Sequence, residues 1–248
     1  IYGMTAKQTL DTAQNLYEKK LITYPRTDSQ YLTEDMEQTA RNVVRQIYEK
    51  YQLTGPFDQP EQPDVKKVMN NSKVTDHHAI IPTMELSSCQ LDELKSWEEK
   101  ILFLIAVHTV MAMSKEHVYQ ETEIEVECQG EIFKAKGKTV LQDGWKLFEN
   151  CFKNKDRMAI VNPDQEMKER MPKVTQGQTF YAVAAEKTEH FTSPPKPYSE
   201  DTLLAAMETA GNKEFDEDTE KKGLGTPATR AGIIEKLVSI GFLERKGD

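Results

Sequence analysis

The spacing of apolar residues changes near residue 115 of this chain, and that change limits the folds it can adopt. Up to about residue 115, apolar side chains recur every three to four positions, which predicts amphipathic helices. Residues 121–137, ETEIEVECQGEIFKAKG, alternate apolar and polar positions instead, which predicts two strands joined at Gln129-Gly130. A helical part followed by a β-rich part predicts an α+β multidomain chain, and 248 residues are enough for two or three domains.

Three helices are predicted in the first part. Thr5 and Gln8 have the spacing of a capping box, and Thr33 precedes two acids that favour a helix N-terminus. The third helix is expected from about Leu91 to Met113. Its apolar end, ILFLIAVHTVMAM, is too short to span a bilayer, so it predicts a buried core helix and no membrane segment.

The middle of the chain is predicted to be β-rich as far as about residue 191. Beyond the hairpin, further strands are expected near Arg157–Ile160 and Thr179–Ala185. The sequence SPPKPY at 193–198 predicts a stiff connector, and Ser199 then has two acids after it, as a helix N-cap does.

The end of the chain predicts one more helix. Thr226 is expected as its N-cap, Pro227 as its first residue and Gly241 as its end. The predicted core-facing side chains are Ile233, Leu237 and Ile240. The apolar residues that follow, Phe242 and Leu243, suggest the wing of a winged-helix module.

Charge and cysteine content restrict the possible partners. A net charge of -9 argues against a surface coated with basic residues, so a nucleic-acid site would be local and built from a few cations in one groove. The cysteines, Cys89, Cys128 and Cys151, fit neither a zinc site nor a disulfide framework. We therefore expect an intracellular, reducing compartment. No signal peptide is visible.

The sequence LITYPRTDS, residues 21–29, places a phenol and a guanidinium two residues apart. Pro25 favours an extended conformation at Tyr24, and extended residues two apart point to the same side. Tyrosine can be a covalent nucleophile, and a fixed guanidinium can stabilise the charge that develops on a phosphodiester under attack. A structural Tyr-Pro-Arg turn is the alternative, and the residues alone do not exclude it.

Two further motifs contain groups that can bind phosphate. DHHAIIPT, residues 76–83, has two adjacent histidines, of which at most one would face a given site in an extended segment. GLGTPATR, residues 223–230, leads into a helix N-terminus, where backbone N–H groups and hydroxyls can bind an anion, although it is not a P-loop. Structural histidines and an ordinary capped helix are the alternatives.

Together these motifs resemble those of the type IA DNA topoisomerases, and most closely the topoisomerase III branch. The matching segments occur in the family's order and cover nearly the whole chain: GMTAKQTLDTAQNLYEKKLITYPRTDSQYL, DHHAIIPT, PPKPYSEDTLLAAMETAG and GLGTPATRAGIIEKL. The tyrosine motif and the GxGTxxTR motif are the specific ones.

The resemblance implies a role for each matching residue. Tyr24 would be the nucleophile that forms a 5′-phosphotyrosine link, Arg26 would orient it and the scissile phosphate, and His77 would contact that phosphate. His78 falls where relatives vary and is given no role. The remaining expected positions, beside the active site or along the DNA, are Lys7, Gln14, Glu18, Thr27, Asp28, Ser29, Thr226, Thr229 and Arg230.

The resemblance also implies an architecture and an activity. Residues 1–116 would be the helical, winged-helix-like domain with the tyrosine, residues 117–193 part of a β-rich arch, and residues 194–248 part of a winged-helix-like base domain. The implied activity is ATP-independent cleavage and rejoining of one DNA strand, with strand passage that relaxes or decatenates DNA.

Several expectations concern what this chain lacks. The family's Toprim domain, whose acids bind Mg²⁺, would precede Ile1, so we expect an excised fragment without a metal site and without activity alone. The implied partners are single-stranded DNA, the Toprim domain and a helicase. The location would be intracellular and, in a bacterium, cytoplasmic and nucleoid-associated.

Two other functions stay open at this point. One is a non-enzymatic winged-helix module that binds single-stranded DNA. The other is a rolling-circle tyrosine nuclease, which pairs its tyrosine with two metal-bound histidines. Such nucleases usually have one residue between those histidines, and His77-His78 has none.

Overall fold

The computed structural model describes residues 2–53, 63–153, 174–181, 184, 186–211 and 223–246. Within these ranges it has six α-helices, a two-stranded antiparallel sheet and several short 3-10 helices. The elements are α1 (Ala6–Glu18), α2 (Glu37–Tyr51), α3 (Ser96–Ala112), β1 (Val118–Cys128), β2 (Glu131–Gln142), α4 (Lys146–Lys153), α5 (Glu200–Thr209) and α6 (Arg230–Ser239). None of the described helices is long and apolar enough to cross a membrane.

The chain divides into two compact units. The first comprises Ile1–Glu116, Gly144–Ile160 and Tyr198–Asp248, as far as these are described, and the second comprises His117–Asp143 and Val161–Pro197. All six helices belong to the first unit and the sheet belongs to the second. The mixed α+β content is as expected, while the division into three named domains stays a prediction.

Helix α3 forms the centre of the first unit. The side of α3 with His108 is exposed, and the buried residues on the rest of the helix are Glu98, Ile101, Leu102, Phe103, Ala106, Val107, Thr109 and Val110. The prediction of a core helix is therefore confirmed. Its expected start was wrong: residues 91–93 form a 3-10 turn, and α3 begins only at Ser96, where the Glu98 carboxylate accepts the N–H of Lys95.

Helices α1 and α2 pack beside α3. Thr5 and Gln8 form the predicted capping box of α1, with Gln8 N–H to Thr5 Oγ1 at 3.1 Å and Thr5 N–H to Gln8 Oε1 at 3.0 Å. Thr33 precedes a 3-10 turn instead of capping α2 directly, so α2 starts at Glu37. Its buried side chains are Ala40, Val43, Val44, Ile47 and Tyr48.

The sheet of the second unit is a single hairpin with the predicted turn. Gln129 and Gly130 have φ values of 51° and 86°, the left-handed pair that a two-residue type I′ turn requires. One face has three cross-strand ion pairs, Glu121–Lys138, Glu123–Lys136 and Glu125–Lys134. Of the further predicted strands, residues 157–160 lie outside the described residues, and residues 179–181 and 184 are described but not in a strand.

The predicted helix starts near the end of the chain were right for one helix and wrong for the other. Ser199 caps α5 through the Thr202 N–H, as expected. Helix α6 begins at Arg230, four residues after Thr226, and Thr229 is its N-cap. Thr226 instead accepts the Thr229 N–H through its carbonyl, and Pro227 lies in a turn before the helix. The acidic segment 212–222 lies outside the described residues.

The expected core face of α6 was also wrong. Ile233 and Ile240 are 39% and 54% exposed and only Leu237 of the three expected residues is partly buried, whereas Ala231 and Ile234 are buried. Gly241, with φ of 81°, follows the helix and ends it as predicted. Residues 241–246 are described and contain no strand, so the expected wing is not seen there.

Candidate active site

The loop that contains Tyr24 is joined to the segment that contains His77. Thr23 N–H donates to Ile81 O at 3.0 Å, Thr23 Oγ1 donates to Ala79 O at 3.1 Å, and Ile81 N–H donates back to Thr23 Oγ1 at 3.0 Å. Next to them, Ile22 forms an antiparallel bridge with a residue of the same segment. Two motifs about fifty residues apart in the sequence are thereby held side by side.

The Tyr24 ring is half-buried between two other rings. Its centroid lies 4.2 Å from that of His77 and 5.4 Å from that of Tyr17, which meets it edge-on. Thr27 Oγ1 fixes the His77 backbone by donating to its carbonyl at 3.0 Å. His78 Nδ1 lies 2.8 Å from Ala79 O instead. One histidine of the pair therefore faces Tyr24, as an extended segment requires.

Arg26 lies in a different environment from Tyr24. The chain bends at Pro25, which is buried, and at Arg26, which is exposed, so the strict alternation of an extended strand does not continue across them. In the described part of the chain, neither the Tyr24 hydroxyl nor the Arg26 guanidinium has a hydrogen bond or an ion pair. Both groups are therefore available to a ligand without breaking an internal bond.

The rest of the TDS sequence shapes the loop. Thr27 Oγ1 accepts the N–H of Ser29 at 3.1 Å, and Ser29 Oγ donates to Lys73 O at 2.9 Å. Both hydroxyls are thus used within the protein. Asp28 is exposed, and its carboxylate has no partner among the described residues.

Helix α1 brings Tyr17 against Tyr24, with Gln14 one turn before Tyr17 and Glu18 directly after it. Gln14 Nε2 donates to Glu18 Oε1 at 3.1 Å, while Gln14 Oε1 is buried without a partner. A buried acceptor without a donor costs about 1–3 kcal/mol, so a ligand that donates a hydrogen bond to Gln14 Oε1 would remove that cost. Lys7 lies near the other end of α1 and pairs with Asp11.

The third predicted segment is organised around hydroxyl groups. Thr226 N–H donates to Thr229 Oγ1 at 2.9 Å, and Arg230 Nε donates to Leu224 O at 3.1 Å. Gly223 has φ of 64°, and a Cβ there would lie 2.3 Å from Glu208 O, so only glycine fits this approach to α5. Helix α6 packs against α1, which places this segment and the Tyr24 loop in one unit.

Two residues of this site, Thr23 and Tyr17, were not predicted from the sequence to belong to it. Thr23 joins the two motifs but looks like an ordinary β-branched residue beside a tyrosine. Tyr17 continues the apolar spacing of α1, which is typical of a core residue, yet it is 39% exposed and contacts Tyr24. Helical spacing gave a signal for Tyr17, because it lies one turn after Gln14 in α1.

A buried ion pair holds the end of α1 against α3. Glu98 is 2% exposed, and its carboxylate receives Lys19 Nζ at 2.6 Å. Burial alone would raise the pKa of Glu98. The hydrogen bonds from Lys19 and from the Lys95 N–H, together with both positive charges, outweigh burial and leave that pKa below its ordinary 4.5. Glu98 is therefore charged at neutral pH.

Comparison with known proteins identifies the family. The family model described as DNA topoisomerase matches residues 1–248. The chain belongs to the type IA DNA topoisomerases. It is 37% identical to DNA topoisomerase 3 of Bacillus licheniformis, 36% identical to that of Bacillus subtilis and 37% identical to that of Haemophilus influenzae, over 99% of this chain in each case.

The matched topoisomerases are longer than this chain. It covers 34% of each Bacillus protein and 37% of the Haemophilus protein, so it spans about a third of these relatives. The full-length topoisomerase I of Thermotoga maritima shares the fold, with a TM-score of 0.59 over 99% of this chain and 36% of that one, at 22% identity. The expected resemblance to the topoisomerase III branch is confirmed.

Proposed function

We propose that this topoisomerase chain carries the nucleophile of an ATP-independent enzyme that cleaves and rejoins one DNA strand. Tyr24 Oη attacks a backbone phosphorus and displaces the 3′-oxygen of the neighbouring nucleotide. This forms a 5′-phosphotyrosine link and leaves a 3′-hydroxyl, which takes up a proton as the phenol loses one. Rejoining is the same step in reverse, and strand passage in between relaxes or decatenates DNA.

The observation that supports this proposal most is the holding of the Tyr24 ring. His77 and Tyr17 contact the ring on two sides, while its hydroxyl makes no hydrogen bond to the described residues. A fixed ring with a free oxygen limits the motion that must be lost before attack. In this proposal Arg26 donates to the non-bridging oxygens, where charge accumulates, and His77 contacts the same phosphate.

The DNA strand would follow the polar residues around Tyr24. We propose that Gln14, Glu18 and Asp28 lie next to the cleaved nucleotides, with Lys7, Thr226, Thr229 and Arg230 further along the path. Thr27 and Ser29 support the loop from behind, because their hydroxyls are already bonded within the protein.

No step is assigned to Mg²⁺ on this chain. Among the residues that the structure describes, no group of three or more His, Cys, Asp or Glu side chains is placed to hold a metal ion. We propose that the acids of a Toprim domain hold Mg²⁺ in a longer protein, and that the 248 residues alone do not cleave DNA. A helicase partner and a nucleoid location would follow from a DNA substrate.

The test is to trap and map the covalent adduct. This chain would replace the matching third of Bacillus subtilis DNA topoisomerase 3, and the chimera would be incubated with a labelled single-stranded oligonucleotide and Mg²⁺ before denaturation. We expect an adduct on Tyr24, none with Tyr24→Phe, and none with the 248 residues alone. An adduct with the Phe variant, or on another residue, would refute the assignment.

A second variant tests the role of Arg26. Arg26→Lys keeps the charge but loses the planar pair of donors, so we expect cleavage to fall about 100-fold with a smaller change in DNA affinity. Full-rate cleavage by the Lys variant would exclude bidentate positioning. A folded chimera that binds single-stranded DNA but never forms an adduct would favour the non-enzymatic binding module.

A further inference from the structure

A cavity of about 260 Å³ lies between one face of α1 and the start of α3. We call it the α1–α3 cavity. One wall is a face of α1 with residues spaced three or four apart, and the other walls are apolar. The lining residues are Met4, Gln8, Asp11, Thr12, Asn15 and Trp97. Pockets that bind drug-sized ligands measure about 300–1,000 Å³, and this cavity is smaller, so it suits a single planar ring.

The apolar wall contains an exposed aromatic residue with a cation over it. Trp97 is 46% exposed although it is the largest side chain in the cavity. Lys100 Nζ lies 4.4 Å from the Trp97 ring centroid and 5.8 Å from that of Tyr2. In the described residues Lys100 has no acidic partner, so its charge is available to an anion.

The polar wall offers donors and acceptors at the same place. The Asn15 side-chain amide makes no hydrogen bond within the described chain. Gln8 uses its Oε1 to accept the Thr5 N–H, which leaves its amide NH₂ group. Asp11 is the one acid that lines the cavity, and Lys7 pairs with it, so repulsion of an anion is reduced.

We infer that the α1–α3 cavity binds one unpaired base of a single-stranded nucleic acid. The base stacks on Trp97, its edge faces the amides of Gln8 and Asn15, and an adjacent phosphate contacts Lys100. Aromatic platforms beside cations are the usual means by which proteins bind single strands without sequence preference. This inference rests on the proposed function, because it requires a single-stranded ligand.

The position of the cavity on α1 explains what the contact would do. The α1 residues of the cavity run from Gln8 to Asn15, and Tyr17, against Tyr24, lies on the opposite side of the same helix. The polar positions Lys7, Gln14 and Glu18 lie on the helix face between the two sites. A strand that crosses this face of α1 from Tyr24 would meet Trp97 at a base other than the cleaved one. The contact therefore adds affinity and fixes the register of the strand, and it takes no part in the chemical step.

The chain has two tryptophans, which makes the inference testable by fluorescence. In a Trp145→Phe background, Trp97 is the sole reporter, and we expect a thymidine oligonucleotide to quench its emission. Adding Trp97→Ala removes that reporter, so its binding is followed by the anisotropy of a labelled oligonucleotide, and it should weaken about 5- to 150-fold, as at other stacking sites. Trp97→Phe should retain most of the affinity. Phe191→Ala removes an aromatic side chain that is 92% exposed, and should change nothing.

A photochemical experiment identifies the contact directly. An oligonucleotide with 5-iodouracil should cross-link to residue 97 on irradiation, and Lys100→Gln should weaken binding and flatten its salt dependence. Salt-dependent binding that leaves Trp97 emission unchanged and gives no cross-link there would overturn this inference alone. Absence of binding by every variant would also overturn it, whereas the adduct on Tyr24 tests the proposed function separately.

Discussion

Replacing Glu98 by Gln tests how the end of α1 is held beside the proposed nucleophile. The carboxylate is 2% exposed and accepts from Lys19 Nζ at 2.6 Å and from the Lys95 N–H at 3.0 Å. Breaking a buried ion pair costs about 3–5 kcal/mol when the remaining charge stays buried. The Lys19 side chain is 42% exposed, so water can solvate it, and the cost is smaller.

Gln at position 98 keeps an acceptor for the Lys95 N–H and loses only the charged bond to Lys19. A hydrogen bond to a charged group contributes about 1.5–3 kcal/mol. We therefore expect Glu98→Gln to lower the free energy of unfolding by about 2 kcal/mol at neutral pH. Because Lys19 directly follows Glu18, the loosened end of α1 should also weaken the contact between Tyr17 and Tyr24.

The pH dependence of this loss has a definite sign. The pKa of Glu98 is lower in the folded protein than its ordinary 4.5. Such a carboxyl stabilises the fold above the unfolded-state pKa, and its contribution disappears as the pH falls through the folded-state pKa. The difference in stability between the original chain and Glu98→Gln should be full at neutral pH and shrink below about pH 4.5.

Urea unfolding followed by tryptophan fluorescence measures the difference at each pH. Glu93→Gln is the matched control, because this exposed carboxylate has no hydrogen bond or ion pair among the described residues, and it should change stability by less than about 0.5 kcal/mol. A Glu98→Gln effect that is the same at pH 7 and at about pH 3.5 would refute the assignment of the stability to this charge.

Two further substitutions test the loop and the glycine-rich segment. Thr23→Val removes the hydroxyl that bonds both Ala79 and Ile81. We expect the free energy of unfolding in urea to fall by about 1–3 kcal/mol and the His77 ring signal in NMR to change. The control Thr23→Ser keeps the hydroxyl and should stay near the original in both measurements. Gly223→Ala would place a Cβ 2.3 Å from a backbone oxygen at a φ of 64°. Thermal melting should show that it lowers the free energy of unfolding by about 1–3 kcal/mol. Gly232→Ala, whose Cβ would have nothing within 4 Å, should instead stabilise α6 by about 0.4–1 kcal/mol. A Thr23→Val protein with unchanged stability would contradict the role of the Thr23 hydroxyl. Equal stability changes in the two alanine variants would contradict the steric role of Gly223.

The features that sequence predicted correctly depend on residues close together in the chain. The Thr5 and Ser199 caps each need one hydroxyl three residues from an N–H, and the Gln129-Gly130 turn needs only two residues that tolerate positive φ. The apolar run of α3 was also informative, because a helix that is apolar on all sides has to be surrounded by protein.

The features that it missed depend on contacts between distant residues. In α6, Ile233 and Ile240 are as apolar as Ile234, and the face that becomes buried is chosen by the helices packed against it. The late starts of α2 and α3 have a similar origin: the Glu34 N–H before α2 donates to Asn71 Oδ1, and Leu91 and Leu94 before α3 pack against the core, which no capping pattern records. The pairing of Tyr24 with His77 required the family resemblance, because no local spacing relates them.

The arrangement around Tyr24 separates what is fixed from what is left free. Tyr17 and His77 contact the Tyr24 ring, and the hydrogen bonds of the preceding residue, Thr23, hold the backbone beside it. The phenol oxygen and the exposed Arg26 have no hydrogen-bond or ion-pair partner in the described chain. In the proposed reaction the Tyr24 oxygen attacks in the forward step and leaves in the reverse step. Both steps benefit from a ring that is held in place and an oxygen that has no internal hydrogen bond. In the proposed mechanism, the fixed ring would return the oxygen to one place after strand passage, and no hydrogen bond within the described chain would compete with the phosphate. We therefore expect DNA to order Arg26 upon binding while the Tyr24 ring stays where it is.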